Sequence, residues 1–241
     1  ESLAWAPDGK RIAVGFAPEG KELWHVFWQG ADGSAPPERL GDETPLQYEH
    51  PSSFSPDGAV LLVRAFNTAR TNPADLHWEM MVLPVTGERK LRPFLESRFS
   101  VLDARFSPDG RWVSYQSNES GRSEVYVQPY PGPGSRWQIS TEGGNDSLWS
   151  PNGRELFYRQ GDKMMAVDVE TQPAFRAGRP HMLFEGRYFE AGLDVINTYD
   201  VARDGTRFLM IKSDPAESGP SHVKVVLNWF EEVKRRVPAG R

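Results

Sequence analysis

The 241-residue sequence contains no cysteine. That excludes a disulfide framework and any thiolate-held metal, and it leaves an oxidising or a reducing compartment equally open. There is no basic excess either. The chain has 28 Lys and Arg against 33 Asp and Glu, a net charge of −5 and a pI near 5.6, whereas a nucleic-acid-binding surface is basic. No apolar run reaches the ~18 residues of a membrane-spanning helix. Before residue 228 no stretch holds the 3.6-residue period of a helix. Several chemical signatures are missing too: the Gly-rich phosphate loop, His-Arg-Asp and Asp-Phe-Gly of a protein kinase, the Gly-x-Ser-x-Gly elbow of a serine hydrolase, and His-Glu-x-x-His. The sequence opens at Glu1, inside a repeat and without a Met or signal-peptide pattern, so a mature chain or an excised piece is expected. What is plentiful is turn chemistry, with 22 Gly and 20 Pro beside 38% hydrophobic and 12% aromatic residues. This composition suits many turns around a substantial core.

The turns are organised. "WAPDGKRIAV" from Trp5, "FSPDGAVLLV" from Phe54, "FSPDGRWVSY" from Phe106, "WSPNGRELFY" from Trp149 and "VARDGTRFLM" from Val201 are five copies of one phrase, with turn residues Asp8, Asp57, Asp109, Asn152 and Asp204. Their separations of 49, 52, 43 and 52 residues fall in the range of propeller blades. In each copy Pro presets φ, Asp or Asn bonds nearby backbone and Gly accepts positive φ. Apolar residues then alternate, as in Ile12 and Val14, Leu61 and Val63, Val113 and Tyr115, Leu156 and Tyr158, Phe208 and Met210. That is the period of a strand with one face on a core. Third strands are expected at Leu23, Trp78, Val125, Met164 and Val223, and fourth strands near Glu38, Leu91, Arg136 and His181. The pattern predicts an all-β chain: a β-propeller of five blades, each of three to four antiparallel strands. It would occupy residues 1–227, with repeats near 1–47, 48–98, 99–141, 142–194 and 195–227. In residues 228–241, Trp229, Phe230, Val233 and Val237 at helical spacing predict a short C-terminal helix. The repeated acids are therefore turn residues, since no active site needs the same acid in five places.

The aromatic-Ser-Pro-Asp-Gly phrase, followed by alternating apolar residues, resembles the repeat of TolB-like, WD-repeat-like bacterial propellers, and it does so over nearly the whole chain. The segments Ser117–Gly144, Asn152–Gly178 and Val225–Arg236 are similar to the C-terminal propellers of soil-bacterial proteins of the serine/threonine-kinase type. The resemblance implies a sensing or docking module in a periplasmic or extracellular setting. It carries the fold further than the function, because propellers bind proteins, bind ligands or catalyse.

A propeller places its site at the channel mouth, where the segments entering the inner strands meet the loops between second and third strands. Glu49, Asp103 and Asp146 are expected at equivalent positions of consecutive blades. Crowded carboxylates there can serve as general acid and base, the equipment of glycoside cleavage, or simply stay solvated. Asn145, Tyr199, Arg70, Trp78, Asn118 and Arg159 are the candidate ligand-binding residues around them, with Trp78 able to stack on a sugar. His50 and His77, both in the second repeat, are candidate metal ligands. With a mouth carboxylate they form a set suited to zinc, although their spacing matches no compact motif. Two readings follow: a propeller that binds a carbohydrate, a small polar ligand or a protein partner, and a glycoside hydrolase using mouth carboxylates with or without zinc. A third, pure scaffold, predicts a plugged mouth. An open blade edge would also offer a route to a homodimer.

Overall fold

The computed structural model describes residues 2–19, 23–42, 46–66, 76–132, 134–189 and 198–212. The chain divides into a unit Glu1–Ile211, which holds every strand described, and a unit Lys212–Arg241. Apart from Lys212 the second unit lies outside the described residues, and so do the predicted strand at Val223 and the predicted C-terminal helix.

The described residues form antiparallel strands and no helix. The first sheet orders β1 (Leu3–Trp5), β2 (Arg11–Phe16), β3 (His25–Gly30) and β4 (Glu38–Arg39). The second orders β5 (Gln47–Phe54), β6 (Val60–Phe66), β7 (Trp78–Pro84) and β8 (Arg92–Pro93). The third contains β9 (Val101–Phe106), β10 (Trp112–Ser117), β11 (Glu124–Pro129) and β12 (Trp137–Gln138). The fourth contains β13 (Asn145–Trp149), β14 (Glu155–Gln160) and β15 (Lys163–Glu170), with β16 (Arg176–Ala177) and β17 (His181–Glu185) sharing the outer edge of β15. A last pair, β18 (Tyr199–Val201) and β19 (Phe208–Met210), stands alone. Each sheet begins on one copy of the repeat, and the chain is a β-propeller whose sheets are its blades.

The turn chemistry holds atom by atom. Ser55 and Ser107 each donate to the following turn aspartate, Asp57 or Asp109, at 2.6 Å, and Ser150 donates to Asn152 at 2.9 Å. The same side-chain oxygens accept the backbone N–H two residues on, from Ala59, Arg111 and Arg154. The serines in turn accept from Val60, Trp112 and Glu155. Each turn glycine sits at positive φ, from 65° to 72°. Neighbouring turns also touch. A Cβ on Gly58 would meet Pro7 at 3.7 Å, on Gly110 Pro56 at 3.2 Å and on Gly153 Pro108 at 3.7 Å, whereas Gly9 and Gly205 face nothing within 4 Å.

Four apolar clusters fill the gaps between the five successive sheets. The predicted inward residues Leu61, Val63, Val113, Tyr115, Leu156 and Tyr158 are buried there, each worth roughly 1.5–3 kcal/mol. Ile12, Val14, Phe208 and Met210, in the first and last sheets, are only half-buried. In the middle sheets the alternate residues Leu62, Ser114 and Phe157 are buried too, because a blade between two others has no solvent face.

Candidate functional site

At the end of the inner strand opposite the turn, blades two, three and four share one backbone device. Between the paired residues Gln47↔Phe66 and His50↔Arg64, two residues of β5 oppose one of β6. Asp103 and Ala104 likewise oppose Tyr115, and Asp146 and Ser147 oppose Tyr158. Each is a β-bulge, and its first residue is left-handed: Tyr48 at φ 55°, Asp103 at 49° and Asp146 at 50°. Aspartate tolerates this region through local hydrogen bonding, while tyrosine has no such help. A bulge re-aims side chains, and here it turns Asp103 and Asp146 inward. Glu49 does not match them, contrary to the expectation of equivalent positions. It is the second bulge residue, and its carboxylate points back to blade one, where it accepts from the Val26 N–H at 3.3 Å and faces His25 Nδ1 at 3.4 Å. A serine does the equivalent work in blade three: Ser140 Oγ accepts the Val125 N–H at 2.8 Å.

Asp103 and Asp146 meet around a residue not singled out from the sequence, Arg105. Asp103 Oδ1 is buried with no hydrogen-bond partner. Burial, and secondarily the charge of Asp146, raise the Asp103 carboxyl to about 6, against the pull of Arg105 and Arg64. Asp146 is better satisfied: Thr198 Oγ1 donates to its Oδ2 at 2.6 Å, and the Tyr199 hydroxyl donates to its backbone oxygen at 2.8 Å. Burial, then Asp146, push the Tyr199 hydroxyl well above its usual range. Arg105 donates to the Ser52 carbonyl. Burial lowers its pKa, while Asp103, Asp146, Tyr199 and Asp200 favour its charge.

Arg105 also lines a cavity of about 490 Å³, together with Leu3, Trp5, Ser52, Tyr199, Leu209 and others. Ala4, Ser53, Arg105, Leu148 and Asp200 all border this space. Each immediately precedes the residue that opens its repeat: Trp5, Phe54, Phe106, Trp149 or Val201. Stacking the five copies and reading that one column gives the lining, with one cation and one anion among five residues. That was the available signal for Arg105.

The remaining candidates spread over several places. The His50 ring lies between Trp24 at 5.6 Å and Trp78 at 5.8 Å, and its Nδ1 is 3.2 Å from the Ser2 hydroxyl. Arg64 stacks over Trp78 at 4.4 Å and links this aromatic group to Asp103. His77 borders a separate cavity beside Glu79, at 3.8 Å. The expected convergence of His50, His77 and a carboxylate is absent: no three His, Asp or Glu side chains among the described residues are placed to hold a metal. Arg159 is buried, donates to the Gly161 carbonyl and stacks on Tyr188 at 5.6 Å. Asn145 Oδ1 is buried without a partner. Asn118 is exposed and accepts the Ser100 N–H. Arg70 lies outside the described residues.

No protein-family model matches the chain, and a search of curated proteins gives no match. Solved structures do match. TolB from Acinetobacter baumannii superposes with a TM-score of 0.65 at 20% identity, over 89% of this chain and 49% of that one. Oligogalacturonate lyase from Vibrio parahaemolyticus gives 0.62 at 8% identity, over 89% and 59%. The periplasmic gluconolactonase of Pseudomonas aeruginosa gives 0.51 at 18% identity, over 85% and 62%. The chain thus spans about half to three fifths of the length of these proteins. At such identities the likeness carries the fold alone, which is that of a TolB-like propeller.

Proposed function

We propose that this chain is a binding propeller whose central channel takes a carbohydrate or other small polar ligand. The observation that carries this reading is the cavity of about 490 Å³ bordered by Arg105, Asp200, Ser52 and Tyr199, a convergence of charged and polar groups from different blades. Asp103, two residues before Arg105 on β9, has its Oδ1 buried behind this lining without a partner and favours the charge of Arg105, which can then hold a polar group of the ligand. Trp5 and Leu3 on the cavity wall suit the apolar face of a sugar ring. The likeness to TolB, and the sequence similarity to kinase-type propellers, favour a sensing or docking role with a protein partner in a periplasmic or extracellular setting. A glycan array followed by titration calorimetry tests this. Binding that is lost in Arg105→Met and Asp103→Asn supports the channel. A ligand bound equally by both variants, or no ligand at all, sinks it.

A second reading, glycoside hydrolysis, is favoured by one specific observation, the raised carboxyl of Asp103. Asp103 keeps its proton up to about pH 6 beside Asp146, and an acid of this kind can protonate a leaving group. Activity needing protonated Asp103 would fall as pH rises through 6. Chromogenic glycosides assayed from pH 4 to 8, with and without a chelator, separate the cases. Turnover indifferent to chelator and lost above pH 6 supports the two acids, loss on chelation brings in a metal, and no turnover leaves binding alone.

A further inference from the structure

We infer that the flank between blades two and three holds a second small-molecule site, distinct from the channel, that takes an organic amine on an apolar stem. His77, Trp78, Glu79, Pro93, Leu95, Glu96, Ser97, Phe99 and Val101 enclose a cavity of about 280 Å³ that shares no lining residue with the channel. His77 is 8% exposed, yet neither ring nitrogen has a hydrogen-bond partner. Glu79 Oε1 lies 3.8 Å from its Nε2, beyond bonding distance. Buried polar atoms are nearly always paired, so two orphaned nitrogens on a cavity wall mark a place where a bound molecule completes the hydrogen bonding.

The chemistry of the wall narrows the class. Among the described lining residues Glu96 supplies an exposed carboxylate and there is no Lys or Arg, so a cation is favoured over an anion. Pro93, Leu95, Phe99 and Val101 supply an apolar surface. Arg98, just outside, already lays its guanidinium over the Phe99 ring at 5.0 Å, which shows this wall accepting a positive group. Ser97 Oγ accepts the Phe99 N–H at 3.0 Å and holds the loop that carries Glu96 and Phe99. The volume suits a single ring with a short arm.

The test is titration of the isotope-labelled chain with benzylamine, followed through the His77 imidazole resonances, which His77→Ala assigns. Benzyl alcohol and benzoate serve as neutral and anionic counterparts of the same size. Benzylamine is expected to shift the His77 resonances and to bind roughly tenfold tighter than benzyl alcohol, the ratio of one charge-assisted contact. Glu96→Gln, at an exposed position that leaves the fold intact, is expected to remove most of that ratio while leaving benzyl alcohol binding unchanged. Unmoved His77 resonances at saturating benzylamine overturn the inference. So does binding of benzoate or benzyl alcohol as tight as that of benzylamine, or full benzylamine binding by Glu96→Gln.

Discussion

Asp103 and Asp109 stand six residues apart, at opposite ends of the hairpin arm that carries β9, and their environments are opposite. Asp109, like Asp57 in blade two, is an exposed turn residue whose carboxylate is met by a serine hydroxyl and a backbone N–H. The bonds from Ser55 and Ala59 hold the Asp57 carboxyl below its ordinary value. Asp103 is enclosed, left-handed, short of donors and raised to about 6. One residue type at two ends of one strand is thus a structural fastening at one end and a strained, desolvated group at the other. Burial and the supply of donors make the difference, and the repeat phrase marks only the first kind.

The most severe way to break this contrast is to place an acid at neither end. Val113 is fully buried in the cluster between blades two and three, so Val113→Asp is expected to cost at least about 4 kcal/mol, since nothing there can pair the charge. Circular dichroism and denaturant melts would show an unfolded or grossly weakened chain, and a stable variant would refute the packing described. Next in size is Asp103→Asn. A carboxyl raised in the folded state contributes stability that is complete below its unfolded value of 3.8 and lost as pH rises through about 6. Removing the charge should therefore stabilise the protein by up to about 3 kcal/mol at pH 8, with the gain vanishing near pH 4, and asparagine keeps the left-handed backbone. A gain independent of pH would place Asp103 in solvent.

Asp57→Ala should do the reverse. A depressed carboxyl contributes stability that is present above 3.8 and lost as pH falls through its lower folded value. The variant is expected to lose about 1 kcal/mol near neutrality, from two exposed hydrogen bonds, and to match the parent at strongly acidic pH. Opposite pH trends for Asp57→Ala and Asp103→Asn in paired melts are the sharpest test of the contrast. The smallest effect compares turns. Gly110→Ala and Gly205→Ala share the cost of positive φ, about 1 kcal/mol, but only the former presses on a proline, Pro56 at 3.2 Å. Gly110→Ala should be worse by a few tenths of a kcal/mol up to about 1, and equal losses would mean that the turns do not interlock.

Some of the site was legible and some was not. Asp103 and Asp146 sit three residues before Phe106 and Trp149, so counting back from the repeat finds both. The same count lands on Pro51 in the second repeat, not on Glu49: the bulge of β5 begins at Tyr48, six residues before Phe54, farther from the turn than in β9 and β13, and a second irregularity lies between Pro51 and Ser53. Tyr48 then takes the left-handed position and Glu49 turns to cap blade one. His50 and His77 look like neighbours in a list of polar residues. In the fold one lies between two tryptophans, tilted to one and edge-on to the other, and the second faces a separate cavity. Arg105 has no local signal, because the groups that mark it, Asp146, Tyr199 and Asp200, come from other blades.

The five turns, the strand alternation and hence the all-β repeat were determined by sequence alone. They depend on φ preferences, side-chain bonds to nearby backbone and apolar spacing, all of which act within about ten residues. Which acid is desolvated, which arginine lies between two carboxylates, and which histidine is left without a partner were decided only by tertiary structure. Burial and Coulomb interaction depend on distance in space, and the groups that set them here, Asp103 with Asp146 and Arg105 with Asp200, come from different blades.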